Sequence, residues 1–203
     1  MIAENFNLVG RRAFSYIARL LILRGETNVR VLDLAPPPQD LASHPAVTYT
    51  KVDVTSLPSL RAALREPFPS GTLPSVVFHT AAIIRFWERA AYTFDASYRV
   101  NVLGTAAVLE AAKEVLPKGA IVVYTSSVDV ATAAPRFLRL GRDYHLPPWN
   151  KISISDEDAS LSGMSAGPTN NYRRTKAMAE RLVLKANSAD GLRTGALRPG
   201  GCV

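Results

Sequence analysis

The chain has 203 residues, 47% of them hydrophobic and 20% charged, which is the make-up of one globular domain with a sizeable core. No apolar run reaches the ~20 residues a bilayer crossing needs. The N-terminus lacks the basic-then-apolar layout of a secretory leader, and the single cysteine, Cys202, excludes an internal disulfide and fits a reducing compartment. The net charge of +7 is scattered, with Arg136, Arg139 and Arg142 as its one spaced group. Without zinc-ligand spacing or an aromatic-and-basic RNA motif, it argues against nucleic acid. Phosphate-bearing ligands, an anionic membrane face or plain surface decoration account for it.

In chain order, a short strand is expected toward Val9. Phe14, Ile17, Leu20, Leu21 and Arg24 recur at helical spacing, and Gly25 supplies a stop. Val29–Asp33 alternates and reads as a strand ending on a carboxylate, followed by the loop of Ala35 to Asp40. Val47 to Asp53 is the next strand. Leu57, Leu60 and Leu64 mark a helix stopped by Pro67 and Pro69. Ser75 to His79 has the look of a buried strand, and a long helical region is predicted from Trp87 to Leu116. Ala120 to Thr125 forms another strand, a Pro-rich stretch follows, then a helix carrying Tyr172 and a last strand from Arg193 to Arg198.

Strands and helices alternating five or six times require a parallel sheet covered on both faces by right-handed crossovers, a doubly wound α/β domain over residues 1–203. Ligands of such sheets bind beyond the carboxyl ends of the strands, where the strand order reverses. The polar clusters fall there. Asp33 at the end of the second strand suits the ribose hydroxyls of NAD and repels the 2′-phosphate of NADP, although a loop carboxylate reads the same way. Asp53 and Val54 follow the third strand, where an Asp can meet an adenine amino group. His79-Thr80-Ala81-Ala82 follows the fourth, with residues small enough for close approach, and His79 reads as a buried, hydrogen-bonded side chain rather than a catalyst. Asn101 either orders a bend or water near the site or faces solvent. Ser126 and Ser127 can hydrogen-bond a substrate oxygen or simply form a turn.

Tyr172 and Lys176 stand four apart at the start of their helix, so both leave one face. An ammonium beside a phenol favours the phenolate, and bringing it from ~10 to about 7 takes roughly 4 kcal/mol. So tuned, the phenol exchanges a proton with an alcohol while hydride leaves its carbon. The spacing also occurs on solvated helix faces that do no chemistry.

Jointly, these pieces resemble the extended short-chain dehydrogenase/reductases, and within them the 3β-hydroxysteroid dehydrogenase family with its decarboxylating sterol-4-carboxylate 3-dehydrogenases. The resemblance runs through Val29–Asp33, Val76 to Ala82, Asn101 to Thr105, Tyr124 to Ser127, Tyr172 to Lys176 with Ala179-Glu180, and Gly191 to Pro199. It implies a Rossmann-like fold and NAD as cofactor. It makes Ser127 the substrate-polarising hydroxyl, Tyr172 the acid/base, and Lys176 the phenolate stabiliser that also holds the nicotinamide ribose. Gly10, Asp33, Asp53, Val54, Thr80, Ala81 and Ala82 would line the rest of the cofactor. The implied reaction oxidises a sterol-like 3β-hydroxyl in the cytoplasm, with contact to the endoplasmic reticulum surface an extension of the same resemblance.

Two features depart from that pattern. The glycine-rich turn expected before the first helix has only Gly10, with Arg11, Arg12 and Ala13 filling it and Phe14 where its last glycine belongs. The family also continues past the Arg-Pro of the sixth strand, whereas this sequence ends at Val203, and residues 131–168 read as a loop or insertion longer than usual. Two rivals follow: a nucleotide-sugar epimerase or dehydratase of the same superfamily, and a catalytically inactive binding remnant.

Overall fold

A computed structural model describes residues 6–9, 13–131 and 170–200. The sheet has six parallel strands, β1 (Phe6–Val9), β2 (Val29–Asp33), β3 (Val47–Lys51), β4 (Val76–His79), β5 (Ile121–Thr125) and β6 (Arg193–Leu197), in the order β3-β2-β1-β4-β5-β6. Strand order therefore reverses between β1 and β4, which open a crevice at their carboxyl ends. The doubly wound reading holds.

Every residue of β2 is buried, because a parallel sheet is covered on both faces. Val29 and Val31 pack with Phe14, Ala18, Leu21 and Leu41 from helices α1 (Ala13–Leu23) and α2 (Gln39–Ala42). Leu32 points the other way, toward Leu60, Leu64, Val108 and Val183 on α3 (Leu57–Arg65), α5 (Gly104–Val115) and α7 (Asn171–Ala186). Arg30 shares that second face and is buried too. Its guanidinium donates to the carbonyls of Ala63, Glu66 and Pro67 at 3.1, 2.6 and 2.9 Å and lies over the Phe68 ring. Those carbonyls sit at the C-terminal end of α3, where a cation meets the negative pole of the helix.

Local signals set the helix ends. Past α1, Gly25 has a φ of 86°, its N–H bonds to Ile22 O at 2.9 Å, and Glu26 N bonds to Leu21 O at 3.1 Å. This double bond around a left-handed residue is why glycine stops the helix there. Asn170 caps α7 by accepting from Arg173 N at 2.7 Å.

The region between β4 and β5 differs from the long helix expected from Trp87. A short 3₁₀ turn (Ala91–Thr93) leads into α4 (Phe94–Tyr98), then a π-helical turn (Arg99–Leu103), and only then α5. Upstream, the carbonyl of Glu88 accepts from the backbone amide of Asn171, and that of Ala90 is shared between the Asn171 side-chain amide and Thr93 of the 3₁₀ turn. Residues 132–169 lie outside the described part, beyond the short helix α6 (Val128–Ala131), and with them the expected insertion.

Candidate active site

The strand ends bring the predicted residues to one edge of the sheet. Asp33 closes β2, buried, with Oδ1 accepting from Ala35 N at 3.0 Å and its carbonyl accepting from the Tyr49 hydroxyl at 3.2 Å. Asp53 is exposed, and its Oδ1 accepts from Thr55 N and Oγ1 at 2.9 and 2.8 Å, the geometry of a side-chain-closed turn. Val54 meets Gly104 at the head of α5; a Cβ built on that glycine would stand 3.0 Å from Val54 Cγ2. Thr80 and Ala81 are buried after β4 and Ala82 is half-buried. Gly10, Arg11 and Arg12 lie outside the described residues. Phe14 is buried in the core beneath α1, so the bulk that replaces the expected glycine fills the helix–sheet packing.

Beyond β5, Ser127, Tyr172 and Lys176 converge. Ser127 Oγ accepts from Asp129 N at 3.2 Å, and its hydroxyl lies near enough to the Tyr172 phenol to favour the ionised form. Tyr172 enters as the second residue of α7, and the ring of Phe86 stands edge-on to it with centroids 5.0 Å apart. Lys176, one turn later, is buried, donates to Thr125 O at 2.5 Å, and lies 4.4 Å from the Tyr124 ring centre.

The electrostatics differ from the simple expectation. Burial holds the Tyr172 phenol above its ordinary range; the Ser127 hydroxyl pulls it down, and Asp129 pushes it further up. Lys176 is itself lowered to about 7 by burial, with Glu180 opposing, and its ammonium is committed to the Thr125 carbonyl. The phenol therefore draws less from that ammonium than their helical spacing suggests. His79 is fully buried and held down to about 3 by desolvation and then by Lys176. Its Nε2 lies 2.9 Å from Thr105 Oγ1, whose proton goes to Asn101 O at 2.7 Å, so the ring donates from Nε2 and stays neutral.

Three further side chains support this centre; of them Asn101, expected either to order a bend or water or to face solvent, is buried and orders the loop after β4. Asn101 holds both backbone groups of Ile83 and the hydroxyl of Thr175. Asn171 donates to Ala90 O and Thr93 Oγ1, tying the start of α7 to the loop after β4. Glu180 binds Arg198 and Ser126 from α7. Only the recurrence of Glu180 one turn past Lys176 hints at this in the sequence.

The residues present fit a dinucleotide. A buried carboxylate closes β2, small residues follow β4 at the reversal of strand order, and Ser127, Tyr172 and the Lys176 amine are buried near the end of β5. The 3-beta hydroxysteroid dehydrogenase/isomerase family pattern matches residues 8–202.

The chain belongs to this family.

Among members of the 3-beta hydroxysteroid dehydrogenase/isomerase family, the 3 beta-hydroxysteroid dehydrogenase/Delta 5→4-isomerase of vaccinia virus (strain Western Reserve) is 30% identical over 176 residues, covering 86% of this chain and 43% of the viral protein. The enzyme of the same name from Mycobacterium tuberculosis (strain ATCC 25618 / H37Rv) is 32% identical over 176 residues, 85% of this chain and 40% of the bacterial protein. The chain thus spans less than half the length of these curated relatives. In three dimensions it is similar to UDP-glucose 4-epimerase from Brucella ovis in complex with NAD, with a TM-score of 0.66, 25% identity, 97% of this chain and 51% of that one.

Proposed function

We propose that this chain carries the cofactor-binding part and the proton-transfer centre of an NAD-dependent oxidoreductase acting on a 3β-hydroxyl of a sterol-like substrate. What supports this reading is that the buried Lys176 amine is held at the Thr125 carbonyl where β5 ends, with Ser127 two residues on and near the Tyr172 phenol. When bound, NAD supplies the hydride acceptor. Asp33 binds the adenosine ribose, and Asp53, Val54, Thr80, Ala81 and Ala82 flank it. Ser127 holds the substrate hydroxyl, Tyr172 takes its proton as hydride departs, and Lys176 holds the nicotinamide ribose and stabilises the phenolate once charge develops.

Among the described residues, Ile84, Phe86 and Trp87 are half exposed or more in the loop that places Phe86 against Tyr172, beside the Arg85–Glu88 ion pair. A flat hydrocarbon ring system gains contact on those three apolar side chains. Among the described residues no helix is long and apolar enough to cross a membrane.

The test takes the protein through NAD and NADP titrations by thermal shift, then through sterol and UDP-sugar panels with NAD. Saturable stabilisation by NAD and NADH formation from a 3β-hydroxysterol support the reading. Turnover of a UDP-sugar alone assigns the epimerase or dehydratase class instead. No stabilisation by either dinucleotide identifies a binding remnant.

A further inference from the structure

Glu180 is 1% exposed, a carboxylate of α7 shut off from solvent one turn beyond Lys176. Its Oε1 accepts from Arg198 Nη2 at 2.5 Å and Nε at 3.0 Å, and its Oε2 accepts from Arg198 Nε at 3.2 Å and from the Ser126 hydroxyl. Ser126 directly precedes Ser127, and Arg198 follows the last residue of β6. One side chain therefore ties the ends of β5 and β6 to the helix that carries Tyr172 and Lys176.

A buried carboxylate–guanidinium pair is poorly explained by stability alone, since apolar residues of the same volume often serve as well or better. The neighbours of Lys176 supply a second reason. From β4 it faces His79, which is neutral; from β5 it faces the Tyr124 ring and the Thr125 carbonyl; along its own helix it faces Tyr172 and Glu180. Burial holds both phenols in their protonated form. Of these groups Glu180 carries the negative charge.

Building on the reading above, we propose that Glu180 is a positioning residue for the proton-transfer centre: it is the buried counter-charge that keeps the Lys176 amine an ammonium, and the clamp that sets Ser127 opposite Tyr172. The carboxylate acts through Lys176 and Ser126 and touches no reacting atom. Arg198 pairs with Glu180 through both carboxylate oxygens, a charge-assisted contact.

The test follows the Lys176 13Cε and 15Nζ resonances through a pH titration by NMR, without cofactor or substrate, with K176R for assignment. In the wild type the midpoint falls at about 7. E180Q moves it down by about one unit, so that the ammonium population at pH 7 falls several-fold, and E180D restores most of it. The double variant E180Q/R198Q removes both halves of the buried pair, which favours folding, and shows a smaller downward shift because a positive neighbour leaves with the negative one. An unchanged midpoint in E180Q, or a raised one in the double variant, overturns the proposal, even where the melting temperature falls. Should neither variant fold, the wild type decides: an amine already neutral at pH 6 overturns it, and one still charged at pH 6 supports it. A normal NMR outcome beside a failed sterol assay would refute the substrate reading and leave the role of Glu180 intact.

Discussion

Asn101 Nδ2 donates to Thr175 Oγ1 at 2.9 Å, joining the π-helical turn before α5 to the helix that carries Tyr172. The same side chain accepts from Ile83 N at 2.7 Å and donates to Ile83 O at 3.1 Å, so it replaces a missing backbone partner in the loop after β4. Thr175 passes its own proton to the carbonyls of Asn171 and Tyr172. An amide is the side chain that can accept and donate at once in so small a space. The local widening to a π-turn places it there, as such turns often do near sites.

Replacing Asn101 by Leu strands the N–H and C=O of Ile83 in the interior. At about 1–3 kcal/mol for each group, the expected loss of stability is about 2–6 kcal/mol. Urea unfolding measures it. A loss below about 0.5 kcal/mol would mean that water or a shifted loop takes over both bonds.

The phenol of Tyr172 provides the second expectation. Tyr172→Phe removes the proton acceptor and is expected to lower the oxidation rate by about 100- to 10,000-fold, with the protein still folded by circular dichroism. Because burial and Asp129 both raise the phenol, oxidation quickens as pH rises through the alkaline range. Asp129→Asn takes away one of those causes and moves the rising limb to lower pH. A limb that stays in place would show that another group limits the rate.

Stability should depend on pH through two buried bases. In the folded chain His79 lies at about 3 against 6.5 in the open chain, and Lys176 at about 7 against 10.5. Both folded values are the lower ones, so the unfolded chain binds more protons and stability rises with pH. The His79 contribution climbs from about pH 3 to 6.5, and that of Lys176 from about 7 to 10.5, each reaching at most about 5 kcal/mol. Denaturant melts of wild type and His79→Gln across the acid range check the first part. The variant should show a flatter acid limb, and parallel curves would count against it.

On the proposed reading, Asp33 decides between the dinucleotides. Asp33→Ser removes the buried carboxylate at the end of β2 and is expected to weaken NAD about tenfold or more while letting NADP bind. Parallel calorimetric titrations with both cofactors read this directly. Equal NAD affinity in wild type and variant would place the ribose elsewhere.

Much of the architecture was legible in the residues. Alternating apolar strands and periodic helices, with Gly25 and the prolines as punctuation, allow only a covered parallel sheet, and strand ends fall where Asp33, His79 and Ser127 stand. Spacing of four on a helix also put Tyr172 and Lys176 on one face before any fold was known. Tertiary packing alone decided how those groups are charged and held. Proton affinities follow from burial and from neighbours distant in sequence, so the lowered Lys176, the raised Tyr172 and the neutral His79 could not be read from spacing. Helical periodicity likewise runs straight through the 87–116 region, because it records which side chains are apolar and not which backbone carbonyls another segment will claim. Asn171 claims the carbonyls of Glu88 and Ala90 there, and the described helix begins only after them.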